Sequence, residues 1–222
     1  MTSPQGRRRE REVLVPADGR LLPGTLTLPS PCLGVVIFAH GSGSSRHSPR
    51  NRQVAGVLQA HGVGTLLFDL LDEAEAEDRG LVFDIPLLAS RLARAAAWVA
   101  EQPEVRGMPL GYFGASTGGG AALVAAAAGP VPVATVVSRG GRPDLAGAAL
   151  ERVQAPTLLI VGGDDETVLS LNRAALARMG PGHRLVVVPG ATHLFEEPGA
   201  LEAVARLAAD WFEEKFRGAA GG

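Results

Sequence analysis

The chain has 222 residues, 46% of them hydrophobic, and a formal net charge of −2. That is enough for one sizeable core in a single domain, and it lacks the basic footprint that nucleic-acid binding needs. The single cysteine, Cys32, excludes an internal disulfide; no apolar run reaches the roughly 18 residues of a membrane span or forms a signal-peptide core, so a cytoplasmic protein with no membrane partner is expected.

Residues 1–12 are polar, with the basic run Arg7 to Arg9 interleaved with Glu10 and Glu12, and read as a flexible N-terminus. Val13–Val15 and Leu21–Leu28, with Asp18-Gly19 between them, predict an antiparallel hairpin. Val35–Phe38 is a continuous apolar run, as in a strand buried on both faces. Asn51–Ala60 is helical, with Val54, Val57 and Leu58 on one face, and His61-Gly62 ends it. Gly64–Phe68 is a strand, followed by an acidic loop, Asp72 to Asp78. The helix Phe83–Glu101 carries Leu88, Leu92, Ala95 and Val99 at helical spacing. A strand at Leu110–Phe113 leads into a small-residue helix. Strands at Val133–Val137 and Thr157–Val161 flank a helix near Asp144 to Arg152. Helix Leu169–Met179, strand Arg184–Val188 and the amphipathic helix Ala200–Phe216 complete the chain. Residues 13–217 thus predict one α/β domain: a mostly parallel central sheet with an N-terminal antiparallel hairpin and helices on both faces. Residues 218–222 read as a flexible C-terminus.

In such a sheet, ligands bind outside the carboxyl ends of the strands. After Leu110–Phe113 comes Gly114-Ala-Ser-Thr-Gly118. Strand, G-x-S-x-G and helix together make the context of a nucleophile elbow, which points to Ser116. The competing reading is a serine that only caps a helix. After Val35–Phe38 comes Ala39-His-Gly-Ser-Gly-Ser-Ser45. Its glycines let amides turn inward, so an oxyanion hole from the backbone N–H groups of Ser42 and Thr117 is expected, with His40 holding the loop by its ring. After Thr157–Val161 come Asp164 and Asp165. Asp165 has the better spacing to orient a histidine, and Asp144 is a lesser rival that looks like a helix cap. After Arg184–Val188 comes His193, placed to act as general base. The order Ser116, Asp165, His193 suits this class of fold. A rival order, His40, Asp69, Ser116, also puts all three at strand ends. His47, His61 and His183 read as solvated.

The stretches His40-Gly-Ser-Gly-Ser-Ser45, Phe68-Asp-Leu-Leu71, Phe113-Gly-Ala-Ser-Thr-Gly118, Ser138-Arg-Gly-Gly-Arg-Pro-Asp144 and Gly190-Ala-Thr-His-Leu-Phe195 resemble the alpha/beta hydrolase fold. Within it they are most similar to the dienelactone-hydrolase-like group, and to a bacterial subgroup sometimes fused to a phosphoribosyltransferase domain. The resemblance runs from about Val13 to Phe216. It implies the triad Ser116, Asp165 and His193, with no metal or organic cofactor. Dienelactone hydrolases proper use a cysteine nucleophile; here the elbow residue is serine, and Cys32 lies before the oxyanion strand. A small ester or lactone is therefore the expected substrate, cleaved through an acyl-enzyme. An acyltransferase or perhydrolase with the same triad, or a non-catalytic binding protein on the same fold, are the alternatives.

Only eighteen residues, Arg139 to Pro156, separate two strands where a lid domain would be inserted, so an open cleft without a lid is expected. Arg46, Arg139 and Arg142 lie on loops at the strand ends and are candidates to hold an anionic substrate. The competing reading pairs such arginines with the acidic loop Asp72 to Asp78.

Overall fold

Five runs, Val35–Ala39, Gly64–Phe68, Leu110–Ala115, Thr135–Arg139 and Thr157–Gly162, are buried at every position. Strands of this kind need cover on both faces, which is the mark of a parallel sheet wrapped in helices. The computed structural model, which describes residues 8–220, has that arrangement. Its elements are β1 (Arg9–Ala17), β2 (Arg20–Leu28), β3 (Val35–Ala39), α1 (Pro49–Ala60), β4 (Gly64–Phe68), α2 (Glu73–Ala76), α3 (Arg79–Val82), α4 (Ile85–Ala100), β5 (Leu110–Ala115), α5 (Thr117–Ala128), β6 (Thr135–Arg139), a 3-10 segment (Pro143–Arg152), β7 (Thr157–Gly162), α6 (Glu166–Arg178), β8 (Arg184–Val188) and α7 (Ala200–Ala220). One eight-stranded sheet runs in the order β1-β2-β4-β3-β5-β6-β7-β8. The hairpin β1–β2 joins β4 antiparallel, and β4 through β8 are parallel. This is the alpha/beta hydrolase architecture.

Each face has its own core. On one side α1 and α7 cover Val36, Phe38, Phe113, Val137, Leu158 and Ile160. The stripe Leu201, Val204, Ala208, Phe212 and Phe216 of α7 is buried as its helical spacing predicts. Trp211 is also buried, and its Nε1–H donates to Thr135 Oγ1 at 2.7 Å, which fixes the helix against β6. On the other side α4 and α5 cover Val35, Ile37, Leu66, Tyr112 and Val136. Each such large apolar side chain contributes about 1.5–3 kcal/mol on burial. No helix among the described residues is long and apolar enough to cross a membrane.

Several boundaries differ from expectation. Residues 9–12, expected in the flexible end, are strand: Arg9 to Ala17 pairs along its whole length with β2. Arg9 to Glu12 are exposed at all four positions, and Thr25 Oγ1 donates to Glu12 Oε1 at 2.7 Å. Residues 1–7, also expected in that end, lie outside the described residues, as do 221–222. The last helix runs on to Ala220 instead of stopping at Phe216. Arg217 pairs with Glu213 one turn back, at 2.9 Å, across the expected end. Strand β6 is shifted two residues later than expected, because its pairing with β5 extends to Ala115 opposite Arg139. Arg139 is therefore the end of a strand and not part of a loop.

The segment between β6 and β7 holds only two 3-10 turns, kinked at Gly147, packed against α5. Cover for the carboxyl ends comes from the acidic segment before α4. It folds into α2 and α3, with Asp72 and Glu75 forming a reciprocal cap at the start of α2. Its charge is met by Arg20, which pairs with Asp72 and Glu75, and by Arg91, whose Nη1 lies 2.7 Å from Glu75. The strand-end arginines do not take that part.

Candidate active site

Strand β5 delivers the chain to Ser116, and α5 starts at the next residue. Ser116 has φ 52° and ψ −121°. A non-glycine residue held there costs about 1–3 kcal/mol and persists only where its surroundings over-determine it. Here Ser116 N–H donates to Arg139 O at 3.2 Å, while Ser116 O accepts from Gly119 N–H at 2.9 Å and Arg142 N–H at 3.0 Å. The helix behind must come close to β3. A Cβ on Gly118 would lie 2.7 Å from His40 O and nearer still to Ala39 O, so only glycine fits. The Ser116 side chain makes no cap bond to α5, which removes the reading of it as a helix cap.

Asp165 and His193 meet beside this turn. His193 Nδ1 is 2.6 Å from Asp165 Oδ2. Asp165 also caps α6, its Oδ1 accepting from Val168 N–H at 3.4 Å. The carboxylate is thus fixed by its own helix and directs the imidazole, leaving Nε2 as the acceptor. The His193 loop lies against the end of β7. A Cβ on Gly162 would meet Thr192 O at 2.7 Å, so the loop could not come down without a glycine there. Phe195, buried and at φ 55°, anchors the loop from the other side. His193 and Ser116 line one small cleft of about 230 Å³ with Gly41, Ser42, Asn51, Arg139 and Leu194. Asp164 is exposed, and its amide donates to Ala191 O at 3.0 Å. Asp144 is held by Arg142, at 2.8 and 2.7 Å.

His40 is buried, and both of its ring nitrogens are spoken for: Nδ1–H donates to Gly41 O at 3.1 Å and Nε2 accepts from Leu70 N–H at 3.0 Å. Burial pushes its pKa below the usual imidazole value. It is a neutral post for the loop, and no acceptor is left over for a serine proton. Asp69 is bound by the Arg46 amide at 2.7 Å and its guanidinium at 2.5 Å. The order His40, Asp69, Ser116 is thereby ruled out as a triad. Of the other histidines, His47 and His61 are exposed, whereas His183 is half-buried and its pKa is lowered by burial.

The Ser42 N–H donates to Thr117 Oγ1 at 2.9 Å. This bond ties the loop after β3 to the start of α5, and it means the amide is already engaged. The Thr117 N–H is among the first amides of α5, which have no acceptor within the helix. A Cβ on Gly41 would sit 3.1 Å from Ser116 Cβ, so the loop passes directly over Ser116.

The three candidate arginines separate. Arg46 lines a second, larger cleft of about 860 Å³, but its guanidinium is held by Asp69. Arg142 is held by Asp144 and lines neither cleft. Arg139 is buried in the smaller cleft, with Ser116 and His193, and faces no carboxylate among the described residues. Its one hydrogen bond is from Nη2 to Asn51 Oδ1 at 3.5 Å. Burial first, and the Arg50 charge second, lower its pKa to about 10.

Asn51 and the larger cleft were not anticipated. Asn51 had a signal in the sequence, since it shares the inward face of α1 with Val54 and Leu58 at helical spacing and is 2% exposed. A polar residue on that face needs a partner. The larger cleft shares Gly41, Ser42 and Ser44 with the smaller one, and Leu70, Leu71, Ala74, Ala76, Val82 and Leu88 are among its other lining residues. Its roof is α2, so the site is less open than the short β6–β7 connection suggests.

Comparison with known proteins agrees with this architecture. The family model described as "Dienelactone hydrolase family" matches residues 83–217. A crystal structure of a dienelactone hydrolase from Anabaena variabilis is 56% identical, covers 94% of this chain and 98% of its own, and superposes with a TM-score of 0.91. An alpha-beta serine hydrolase homologue from Coxiella burnetii shares the fold at 20% identity, with a TM-score of 0.77 over 90% of this chain and 96% of its own. Among curated proteins, a Mycobacterium tuberculosis protein named "Putative phosphoribosyl transferase" is 60% identical over 95% of this chain and 47% of its own length. The chain spans about half the length of the curated relatives it matches, in keeping with the fused subgroup it resembles. By sequence and by fold, this chain belongs to the dienelactone hydrolase family.

Proposed function

We propose that the protein is a serine hydrolase that cleaves small carboxylic esters or lactones through an acyl-enzyme intermediate. The observation that carries this is the 2.6 Å contact of His193 Nδ1 with Asp165, in the cleft that holds Ser116 at φ 52°. The family supplies the hydrolase class, and the serine at the elbow turns the expectation toward ordinary esters.

In this scheme Asp165 keeps the Nδ1–H tautomer and stabilises the imidazolium that forms. His193 Nε2 takes the proton from Ser116 Oγ as the oxygen attacks the substrate carbonyl. The negative charge that develops on the carbonyl oxygen is met by the Thr117 N–H and by the Ser42 N–H, the latter exchanging Thr117 Oγ1 for the oxyanion. His193 then returns the proton to the departing alkoxide, and the Ser116 ester is hydrolysed by a water that the same base activates. Every proton has a donor and an acceptor on the chain, so the scheme calls on no metal or organic cofactor. Turnover of short p-nitrophenyl esters is expected, with loss of about 10³-fold or more in Ser116→Ala. Fluorophosphonate should label Ser116 in the wild type alone. Ester hydrolysis that survives Ser116→Ala would overturn the proposal.

A further inference from the structure

Helix α6 has Asp165 as its N-cap and buries Val168, Leu169, Asn172 and Ala175. Three of these are apolar. Asn172 is a carboxamide at 0% exposure, and burying such a group is unfavourable unless it is bonded. Its Nδ2 donates to Val168 O at 2.8 Å, inside the helix, and to Gly141 O at 3.0 Å, outside it. Its Oδ1 is buried without a partner, so only the donor end of the amide is in use. Among the described residues this is the one side-chain hydrogen bond to the backbone of the Gly140-Gly141 turn after β6. That turn touches the other two site residues. Arg142 N–H, next to Gly141, donates to Ser116 O at 3.0 Å. Gly140, at φ 51°, runs beneath His193: a Cβ there would lie 3.3 Å from His193 O and 3.5 Å from its ring Cε1. The Asp165 amide donates to Gly162 O at 3.2 Å, which holds the tip of α6 to β7. Asn172, seven residues on and on the same face of the helix, holds the body of α6 to Gly141.

We infer that Asn172 is a positioning residue that sets Asp165 against His193, by tying α6 to the Gly140–Arg142 turn on which His193 and Ser116 also rest. This deepens the ester-hydrolase reading and rests on it. Asp165, His193 and Ser116 stand on three separate segments, and a common reference fixes their spacing. The start of α6 packs through Val168 and Leu169 into a small cluster with Val161, Leu185 and Val187. Apolar contact of this kind is non-directional, and a helix bonded to the sheet only at its tip is free to pivot about it. The bond from Asn172 to Gly141 O is directional and removes that freedom. What it protects is the 2.6 Å contact of Asp165 Oδ2 with His193 Nδ1. A charge-assisted bond that short weakens steeply once distance or angle is lost.

The test uses Asn172→Leu, which keeps the shape of the side chain and removes its donor, with Asn172→Ala in case the first does not fold. One readout needs no turnover: the low-field proton resonance of His193 Nδ1–H, identified by its loss in His193→Gln. A proton in a bond of 2.6 Å is strongly deshielded and slow to exchange; in the Asn172 variants its resonance should move upfield and broaden. Hydrolysis of p-nitrophenyl acetate is the second readout, where kcat should fall by about tenfold to a hundredfold with KM unchanged. The third repeats the substitution in Asp165→Asn, where it should cost less than about twofold, since a residue that acts through Asp165 then has nothing left to place. An unchanged resonance in a folded variant, an unchanged kcat, or an equal fall in kcat with and without Asp165 would overturn the inference and leave the hydrolase reading intact. Failure of both variants to fold would overturn it by assigning Asn172 to the fold, and a wild type without the resonance by removing the bond that Asn172 protects. A resonance that shifts in variants of a protein that turns over no ester would support the positioning and count against the ester-hydrolase reading alone.

Discussion

Gly118→Ala separates the geometry of the elbow from the ordinary behaviour of helices. Gly118 stands in the first turn of α5, where alanine is normally the better residue by up to about 1 kcal/mol. Here the new methyl would lie 2.7 Å from Ala39 C and from His40 O, and closer to Ala39 O. Those atoms must retreat by about 0.7 Å or more to reach ordinary contact. They belong to Ala39, which ends β3 and pairs with Gly114 of β5, and to His40 just beyond it, and as backbone they cannot rotate away as a side chain would. Overpacking against such backbone costs about 3 kcal/mol; the propensity gain offsets about one of these. A net loss of roughly 2 kcal/mol lowers the melting temperature by about 4–8 °C in a domain of this size. The displaced atoms lead directly into the His40–Ser42 loop, so kcat for p-nitrophenyl acetate should fall on the order of a hundredfold. Gly56→Ala on α1 is the control, since a Cβ there meets nothing within 4 Å. It should be neutral or slightly stabilising, with unchanged kcat. Calorimetry and initial rates on both variants decide the matter. A Gly118→Ala protein that melts and turns over like the wild type would refute the argument that close approach fixes this glycine.

Two further outcomes test the surrounding structure. Asp165→Asn keeps a good cap for α6 but presents the wrong group to His193 Nδ1. The melting temperature should stay near the wild-type value while kcat falls about 10³- to 10⁴-fold; a fall of less than tenfold would mean that Asp165 does not orient the base. Glu75→Gln removes the partner of Arg91, whose side chain is 3% exposed, and should cost about 3–5 kcal/mol. The hydrogen bond from Arg91 holds the Glu75 carboxyl well below its ordinary 4.5, at about 2. A depressed carboxyl contributes stability that is present above pH 4.5 and lost as pH falls toward 2. Urea midpoints measured down that range should drop more steeply in the wild type than in Glu75→Gln, and parallel curves would contradict this.

The sequence was most informative where periodicity and covalent geometry leave few options. The five apolar runs became strands because no other element buries every side chain of so short a segment. The expectation that Asp165 and His193 meet, and that His193 shares a cleft with Ser116, came from strand ends, glycines and chain order, which restrict where such side chains can converge. Boundaries set by pairing were harder to read. Arg9 to Glu12 look like a charged tail, and they are a strand only because β2 offers a full-length partner. Arg139 looks like a loop residue, and it ends β6 only because Ala115 lies opposite it. The sorting of the arginines was equally out of reach. Arg46 with Asp69 and Arg142 with Asp144 are separated by 23 and 2 residues, and nothing in their spacing tells a paired arginine from an unpaired one. The acidic segment gave its composition away but not its place: its partners, Arg20 and Arg91, come from β2 and α4.

Two energetic costs sit side by side in this cleft. Ser116 is held at a positive φ, and the Arg139 guanidinium is buried without a counter-charge. Neither alone identifies a function, since strain and imperfect pairing occur elsewhere in proteins. The two are linked through the backbone. The Ser116 amide bonds to the Arg139 carbonyl, and the β5–β6 pairing that ends at Ala115 and Arg139 sets both residues in the same register. A slip of that register by one residue would turn the Arg139 side chain to the opposite face of the sheet and remove the acceptor that holds the serine. The fold therefore cannot keep the strained serine in place and move the cation independently.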